Sequence, residues 1–402
     1  MESTSAELAQ ELLSHCMKGT TWPEALIDSM VQDDNSRALF STVVEGLSDL
    51  FEPRLCDVYS ELFAEVVARV LPDDLHAAHL LARYRRVRRS RNIAEISGLG
   101  VRNVFVLSRV TLGADVAVTS VVLDAAKRAF PDAHIYFVGT QKSWELFAGD
   151  DRIQHLPVQY GRTDSIRDRL AVWKPLRDSV CRRRSIVIDP DSRLTQLGLL
   201  PLCSEEDYFF FESRAYRSES DDSLVRLTQK WVAETFNVDD AKPFIEPMPM
   251  TTTLPEFATT VSFGVGENPN KRLPDPFEAE LLQRLPRPIL IDKGAGGEEA
   301  ERVERAVAEC DSEVKVWDGS FAGFANHIRR SSMYVGYDSA GGHVAAACGV
   351  PMVSIFAGYP SERFFERWRP TGDGLIRVVK CEPGIDPWPQ VVEALDQIES
   401  VL

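Results

Sequence analysis

Tyr334-Val-Gly-Tyr-Asp-Ser-Ala-Gly-Gly-His-Val-Ala-Ala-Ala-Cys-Gly-Val-Pro351, continued by Met352-Val-Ser-Ile355, decides the fold. An apolar run ends on Asp338, a turn of small residues follows, and an alanine-rich stretch leads through Gly349 into a second apolar run. That order predicts strand, turn, helix and strand, the repeating element of a parallel sheet. The helix is expected to open near Gly342 and His343. Its first N–H groups carry no intrahelical partner and sit at the positive end of the helix dipole, so such a start attracts anions. Gly341 and Gly342 are read as the residues that let a phosphate approach the backbone. Asp338 and Ser339 are expected to cap the helix or to bond a sugar or ribose hydroxyl. The bland alternative makes them caps only and leaves His343 as a core histidine.

The same grammar extends in both directions. Val104–Leu107, Ile135–Val138, Ser185–Ile188 and Tyr208–Phe211 are short apolar runs, and residues 116–129 between the first two have helical spacing. A second series comprises Thr260–Phe263, Ile289–Ile291, Val314–Val316, Met333–Val335 and Met352–Ile355. Between the series lie Pro243, Pro247, Pro249 and Pro255, which place a linker near 240–258. The expected class is α/β: two Rossmann-like domains facing a cleft, at 96–250 and 251–385. A helical extension over 1–95 precedes them and a C-terminal helix over 386–402 follows. Ligands are expected beyond the carboxyl ends of the strands.

Charge divides function classes. The chain carries a formal net charge of −16, which argues against general nucleic-acid binding. Residues 1–80 hold fifteen Asp/Glu and four Lys/Arg, and then six arginines crowd into 83–91 (Arg83, Arg85, Arg86, Arg88, Arg89, Arg91). That run is either a solvated helix end or a patch for anionic lipid head groups. Seven scattered cysteines read as reduced thiols, and with no basic, apolar leader in MESTSAELAQ they point to a cytoplasmic protein. The arginine patch adds an expected peripheral contact with the inner membrane face. Leu55, Val58, Leu62, Val66 and Val70 recur at helical spacing, so the extension is expected to be helical.

The 333–370 stretch resembles the heptosyltransferase-like glycosyltransferases of glycosyltransferase family 9. Their motif Asp-Ser/Thr-Gly-x-x-His is matched by Asp338, Ser339 and His343, with Ala340 where the family has glycine and Gly341-Gly342 beside it. Gly349-Val-Pro351 and Arg367-Trp-Arg-Pro370 resemble further family segments. Val261–Pro274 is similar to the family's loop ending in Lys-x-Trp-Pro, which puts Lys271 and Arg272 at the donor phosphates, with Leu273 in place of tryptophan. Ser108-Arg-Val-Thr-Leu-Gly-Ala-Asp115 resembles the family's Arg-x-x-x-x-Gly-Asp loop with Ala114 inserted, making Asp115 the implied catalytic base.

The resemblance thus implies a GT-B type fold and a metal-independent, inverting transfer of a heptose-like sugar. The donor would be a nucleotide diphosphate sugar, ADP-heptose in lipopolysaccharide assembly, and no separate cofactor is implied. Asp189, Asp191 and Arg193, at the end of a strand in the first half, are expected to line a pocket for the glycan, lipid or protein acceptor. Ala114 and Ala340 support the alternative of a nucleotide-sugar-binding scaffold that has lost catalysis.

Overall fold

The computed structural model of this 402-residue chain describes residues 4–402 apart from 35, 97–99, 162–163, 251–255, 267 and 311–312. Residues 251–255 of the expected linker and Glu267 in the Lys271 loop therefore lie outside the described residues. The chain divides into two compact units. The first comprises Met1–Thr111, Val122–Ser143 and Arg152–Ala241, and the second Leu112–Val121, Trp144–Asp151 and Lys242–Leu402. The main passage between them, at Ala241 and Lys242, falls where the prolines begin. The short segments 112–121 and 144–151 group with the second unit, which a contiguous first domain over 96–250 did not anticipate.

The first unit is built on a parallel sheet of β1 (Asn103–Leu107), β2 (His134–Gly139), β3 (Ile153–Pro157), β4 (Ser185–Asp189) and β5 (Tyr208–Phe210), in the order β3-β2-β1-β4-β5. Val104–Leu107 and Ser185–Asp189 are buried throughout, as parallel strands covered on both faces must be. The chain winds from β1 toward β3 on one side and continues through β4 to β5 on the other. The loops after β1 and β4 therefore flank the point where the winding reverses, the position at which open α/β sheets hold ligands.

The helical extension is not a separate body. Helix Pro53–Val70 starts with proline at its first turn, where a missing N–H costs nothing, and buries Leu55, Tyr59, Leu62, Phe63 and Val66. These side chains share one apolar core with Phe105, Leu107, Val187, Tyr208 and Phe210 of the sheet. The arginine run fastens the join. Arg83 is buried and donates to the Gly198 carbonyl at 2.7 Å. Arg86 grips Glu205 through two hydrogen bonds at 2.7 and 2.6 Å. Arg88 pairs with Glu212 at 2.8 Å and with Asp57, and Arg91 reaches Glu95 and the Glu205 carbonyl. Four of the six arginines of the expected cationic patch are thus used inside the unit, because like charges can gather at a sheet only where carboxylates and carbonyls meet them, while Arg85 and Arg89 are exposed.

The second unit carries β6 (Thr259–Ser262), β7 (Ile289–Asp292), β8 (Val314–Trp317), β9 (Met333–Tyr337), β10 (Met352–Phe356) and β11 (Ile376–Lys380), parallel throughout in the order β11-β10-β9-β6-β7-β8. Here the winding reverses between β6 and β9. The C-terminal helix Trp388–Glu399 buries Val391, Leu395 and Ile398 in this unit's core. Both sheets together are the α/β, GT-B type architecture expected. Among the described residues, no helix is long and apolar enough to cross a membrane.

Arg88→Gln leaves Glu212 buried without its cation and is expected to cost about 2–3 kcal/mol in denaturant melts. The same variant is expected to sediment with anionic vesicles no differently from the parent, since the charge it removes is already paired.

Candidate active site

The reversal point of the second sheet collects the predicted residues. After β6 the chain turns through Pro269–Lys271, a single 3₁₀ turn whose first N–H groups are met by Asn268, its side chain accepting from Asn270 N at 3.1 Å. The Leu273 amide donates to the Tyr337 hydroxyl at 3.2 Å, tying this loop to β9. The loop after β10 presses on it as well. Gly358 has φ +60°, and a Cβ there would lie 2.1 Å from the Asn270 carbonyl oxygen, so only glycine fits.

These constraints aim Lys271 at the end of β9, where its ammonium pairs with the Asp338 carboxylate. Lys271 also lies 5.6 Å from the centre of the Phe364 ring. Asp338 is 6% exposed and His343 likewise 6%. Burial pushes the His343 imidazole below its ordinary value, with Asp338 opposing and Lys271 reinforcing that shift, so the ring is neutral near pH 7 and sits in the field of both partners. Its other face meets Trp368 edge-on at 6.0 Å.

The helix opens at Ala340, two residues before the expected start. Ser339 occupies the N-cap with extended backbone but makes no side-chain cap; its hydroxyl lies 3.5 Å from the Tyr334 hydroxyl. The capping-only reading of Ser339 therefore does not describe this helix. Gly341 also has a different reason from the one expected. A Cβ there would lie 2.4 Å from the buried Tyr334 hydroxyl, so the glycine lets the helix settle on β9. Gly342 has ordinary space, its nearest neighbour being Met352 Cε at 3.4 Å. Arg272, placed beside Lys271 by sequence, turns instead to Glu298 at 2.9 Å and Glu299 at 3.5 Å.

The Asp115 segment packs on this helix. A Cβ on Gly113 would lie 3.2 Å from the His343 ring and 3.5 Å from Ala340 Cα. Asp115 is fully buried and accepts from Thr119 Oγ1 at 2.8 Å. Asp115–Thr119 forms a π-turn, in which each turn takes up one more residue than in an α-helix. Ala114 ends the short helix Leu112–Ala114 just before this turn, and both segments contact the helix that opens at Ala340. Val110, just before, has φ +69°, a costly conformation for a β-branched residue.

Asp189, Asp191 and Arg193 follow β4 in the first unit and divide into two kinds. Asp189 is fully buried and accepts from Ser192 N at 2.7 Å and from the Thr195 and Tyr208 hydroxyls. Burial raises it to about 6, the hydrogen bonds opposing. Asp191 is gripped by Arg214 at 3.0 and 3.1 Å and by Ser213. Both carboxylates shape the loop from within; Arg193 does not share their pairing. Tyr334, Phe364 and Gly358 escaped the sequence reading because each acts through a non-local contact that no short motif displays.

Residues 286–382 match the family model for glycosyltransferase family 9 (heptosyltransferase). That window includes Asp338, Ser339 and His343. A family 9 glycosyl transferase from Veillonella parvula DSM 2008 has the same fold, with TM-score 0.54 and 19% identity over 76% of this chain and 99% of that one. The E. coli heptosyltransferase WaaC with ADP gives TM-score 0.53 and 16% identity over 74% and 99%. WaaC with ADP-2-deoxy-2-fluoro heptose gives 0.52 and 18% over 75% and 100%. No curated protein sequence matches the chain significantly.

Gly341→Ala is expected to lose about 1–3 kcal/mol by overpacking against Tyr334, whereas Gly342→Ala is expected to be tolerated, as thermal melts of the two would show. Because Asp189 holds its proton more tightly folded than its ordinary value of 3.8, its stabilising contribution is present in acid and lost as pH rises through about 6. The stability advantage of the parent over Asp189→Asn should therefore shrink between about pH 4 and about pH 6, measured by denaturant melts at each pH.

The second unit thus carries, over residues 286–382, sequence that matches glycosyltransferase family 9 (heptosyltransferase), and about three quarters of the chain shares the two-sheet fold of solved structures of that kind.

Proposed function

We propose that the second unit binds the diphosphate of a nucleotide-linked, heptose-like sugar and that the chain transfers this sugar, with inversion, to an acceptor hydroxyl. The observation that carries this reading is the meeting of Lys271, Asp338 and His343 at the point between β6 and β9 where the winding reverses. An ammonium, a small-residue helix start and a neutral imidazole on one patch suit a diphosphate: cation and helix dipole both favour negative charge. The E. coli heptosyltransferase WaaC is known with ADP and with ADP-2-deoxy-2-fluoro heptose, which supports an adenosine diphosphate sugar as donor here.

In the transfer, the acceptor oxygen forms the new bond to the anomeric carbon as the bond to the diphosphate oxygen breaks on the opposite face. A single displacement inverts the centre. Lys271 offsets the charge gathering on the departing diphosphate, the role a divalent cation fills elsewhere. Asp115 takes the acceptor's proton. It does so after its present cover is exchanged for the acceptor hydroxyl, because the carboxylate has no exposed surface. Asp338 holds the lysine in place and exchanges that contact for a donor hydroxyl. Asp115 opens the π-turn directly after Ala114, and its segment contacts the helix that opens at Ala340, which supports an intact site.

Two variants test the reading separately. Lys271→Ala is expected to remove most of the thermal stabilisation that ADP gives the parent, read as the shift in melting temperature at saturating ligand. Asp115→Asn is expected to keep that stabilisation while losing transfer by about 10²-fold or more in a product-formation assay.

A further inference from the structure

The winding of the first unit also reverses, between β1 and β4, and the loop after β4 there meets the N-terminal helices. Besides Arg83 Nε and Nη2, four buried polar atoms near this meeting point make no hydrogen bond: Tyr59 Oη, Arg193 Nη1, Gln196 Oε1 and Arg214 Nη1. Tyr59 and Gln196 are fully buried and Arg214 is 4% exposed. Arg193 is half-buried. Leaving one such atom bare costs about 1–3 kcal/mol, which the polar atoms of a ligand would recover.

They are neighbours. The Arg214 guanidinium carbon lies 5.0 Å from the centre of the Tyr59 ring. Burial is the main cause lifting the Tyr59 phenol far above its ordinary range, and Arg193 and Arg214 are the cations that pull it back most, so both guanidiniums lie near it. Phe40, from the same extension, lies 5.8 Å from the Arg193 guanidinium carbon. Gln196 turns its amide nitrogen to the Tyr160 hydroxyl at 3.4 Å, leaving its carbonyl oxygen without a partner, and Tyr160 is itself among the groups that act on the Tyr59 phenol.

The charge is unbalanced. Asp191 is satisfied by Arg214 and Ser213 and has Arg109 at 4.0 Å. Among the described residues Arg193 forms no ion pair. Arg83 has no carboxylate partner either but gives its guanidinium to the Gly198 and Leu199 carbonyls, whereas among the described residues Arg193 has neither, and a half-buried charge in that state is one that an anion relieves. Three of the bare atoms donate and one accepts. We infer that Tyr59, Arg193, Gln196 and Arg214 form a binding site for a small hydroxylated oxyanion. Its carboxylate or phosphate oxygens take the two guanidinium N–H groups and the Tyr59 hydroxyl, and its hydroxyl donates to Gln196. The N-terminal extension then has a task beyond stability: Tyr59 and Phe40 complete a site that the sheet's own loops leave half-built. The inference stands apart from sugar transfer, since it concerns binding in the first unit alone.

Calorimetric titration of the full chain carrying Lys271→Ala, so that the donor-phosphate residues contribute little, tests it with glycerol 3-phosphate, glycerate and glycerol. Binding of either oxyanion and not of glycerol is expected, and whichever binds more tightly identifies the anion as phosphate or carboxylate. Adding Arg193→Gln, which breaks no ion pair, is expected to weaken that binding at least tenfold, and Tyr59→Phe, which removes one hydroxyl, several-fold. Absence of binding by both oxyanions, equal binding of glycerol, or unchanged affinity in Arg193→Gln would overturn it.

Discussion

The ion pair between Lys271 and Asp338 holds the second unit's site together. Each partner alone would be a charge in a largely buried place, which a protein of marginal stability cannot carry. Paired, they join the loop after β6 to the end of β9, the two strands between which the winding reverses. The pair also fixes where a ligand's charge is welcome. In the proposed donor complex an incoming diphosphate would compete with Asp338 for the same ammonium, so the residue that orders the lysine would also be the one the donor displaces. His343, packed against Trp368 and beside Gly113, supplies a firm floor that burial keeps uncharged.

The first unit shows a different use of charge. Its arginines lie along the seam between the N-terminal helices and the sheet, and nearly all find carboxylates or carbonyls. Such pairs add little net stability when compared with an apolar interface, but removing one partner is costly, so they specify how the helices seat. Arg193 departs from that pattern. It lies on the loop after β4, where Asp189 and Asp191 are already satisfied, and it is the cation the seam leaves over.

How far the sequence could be read follows from which features are local. Strands such as Val104–Leu107 and Ser185–Ile188 announce themselves because burial on both faces leaves only apolar residues. The strands that escaped, Ile153–Pro157 and Ile376–Lys380, are sheet edges, and residues such as Gln154, His155 and Arg377 dilute the apolar signal. Lys271, Asp338 and His343 were legible because they fall in short, continuous segments that resemble family 9 motifs. The tasks of Gly341 and of the 83–91 arginines were not, since Tyr334, Glu205 and Glu212 become neighbours only on folding. Asp189 and Asp191 looked like ligand residues for the same reason: a carboxylate at a strand end reads alike whether it faces a ligand or a threonine.

Amide hydrogen exchange with and without ADP examines the central claim most directly, because it reports where the nucleotide sits rather than whether it binds. Slower exchange confined to the backbone of Asp338–His343 and the Pro269–Lys271 turn is the expected result. Binding that leaves those amides unchanged, or that slows exchange only elsewhere, would contradict the assignment of the diphosphate to this site.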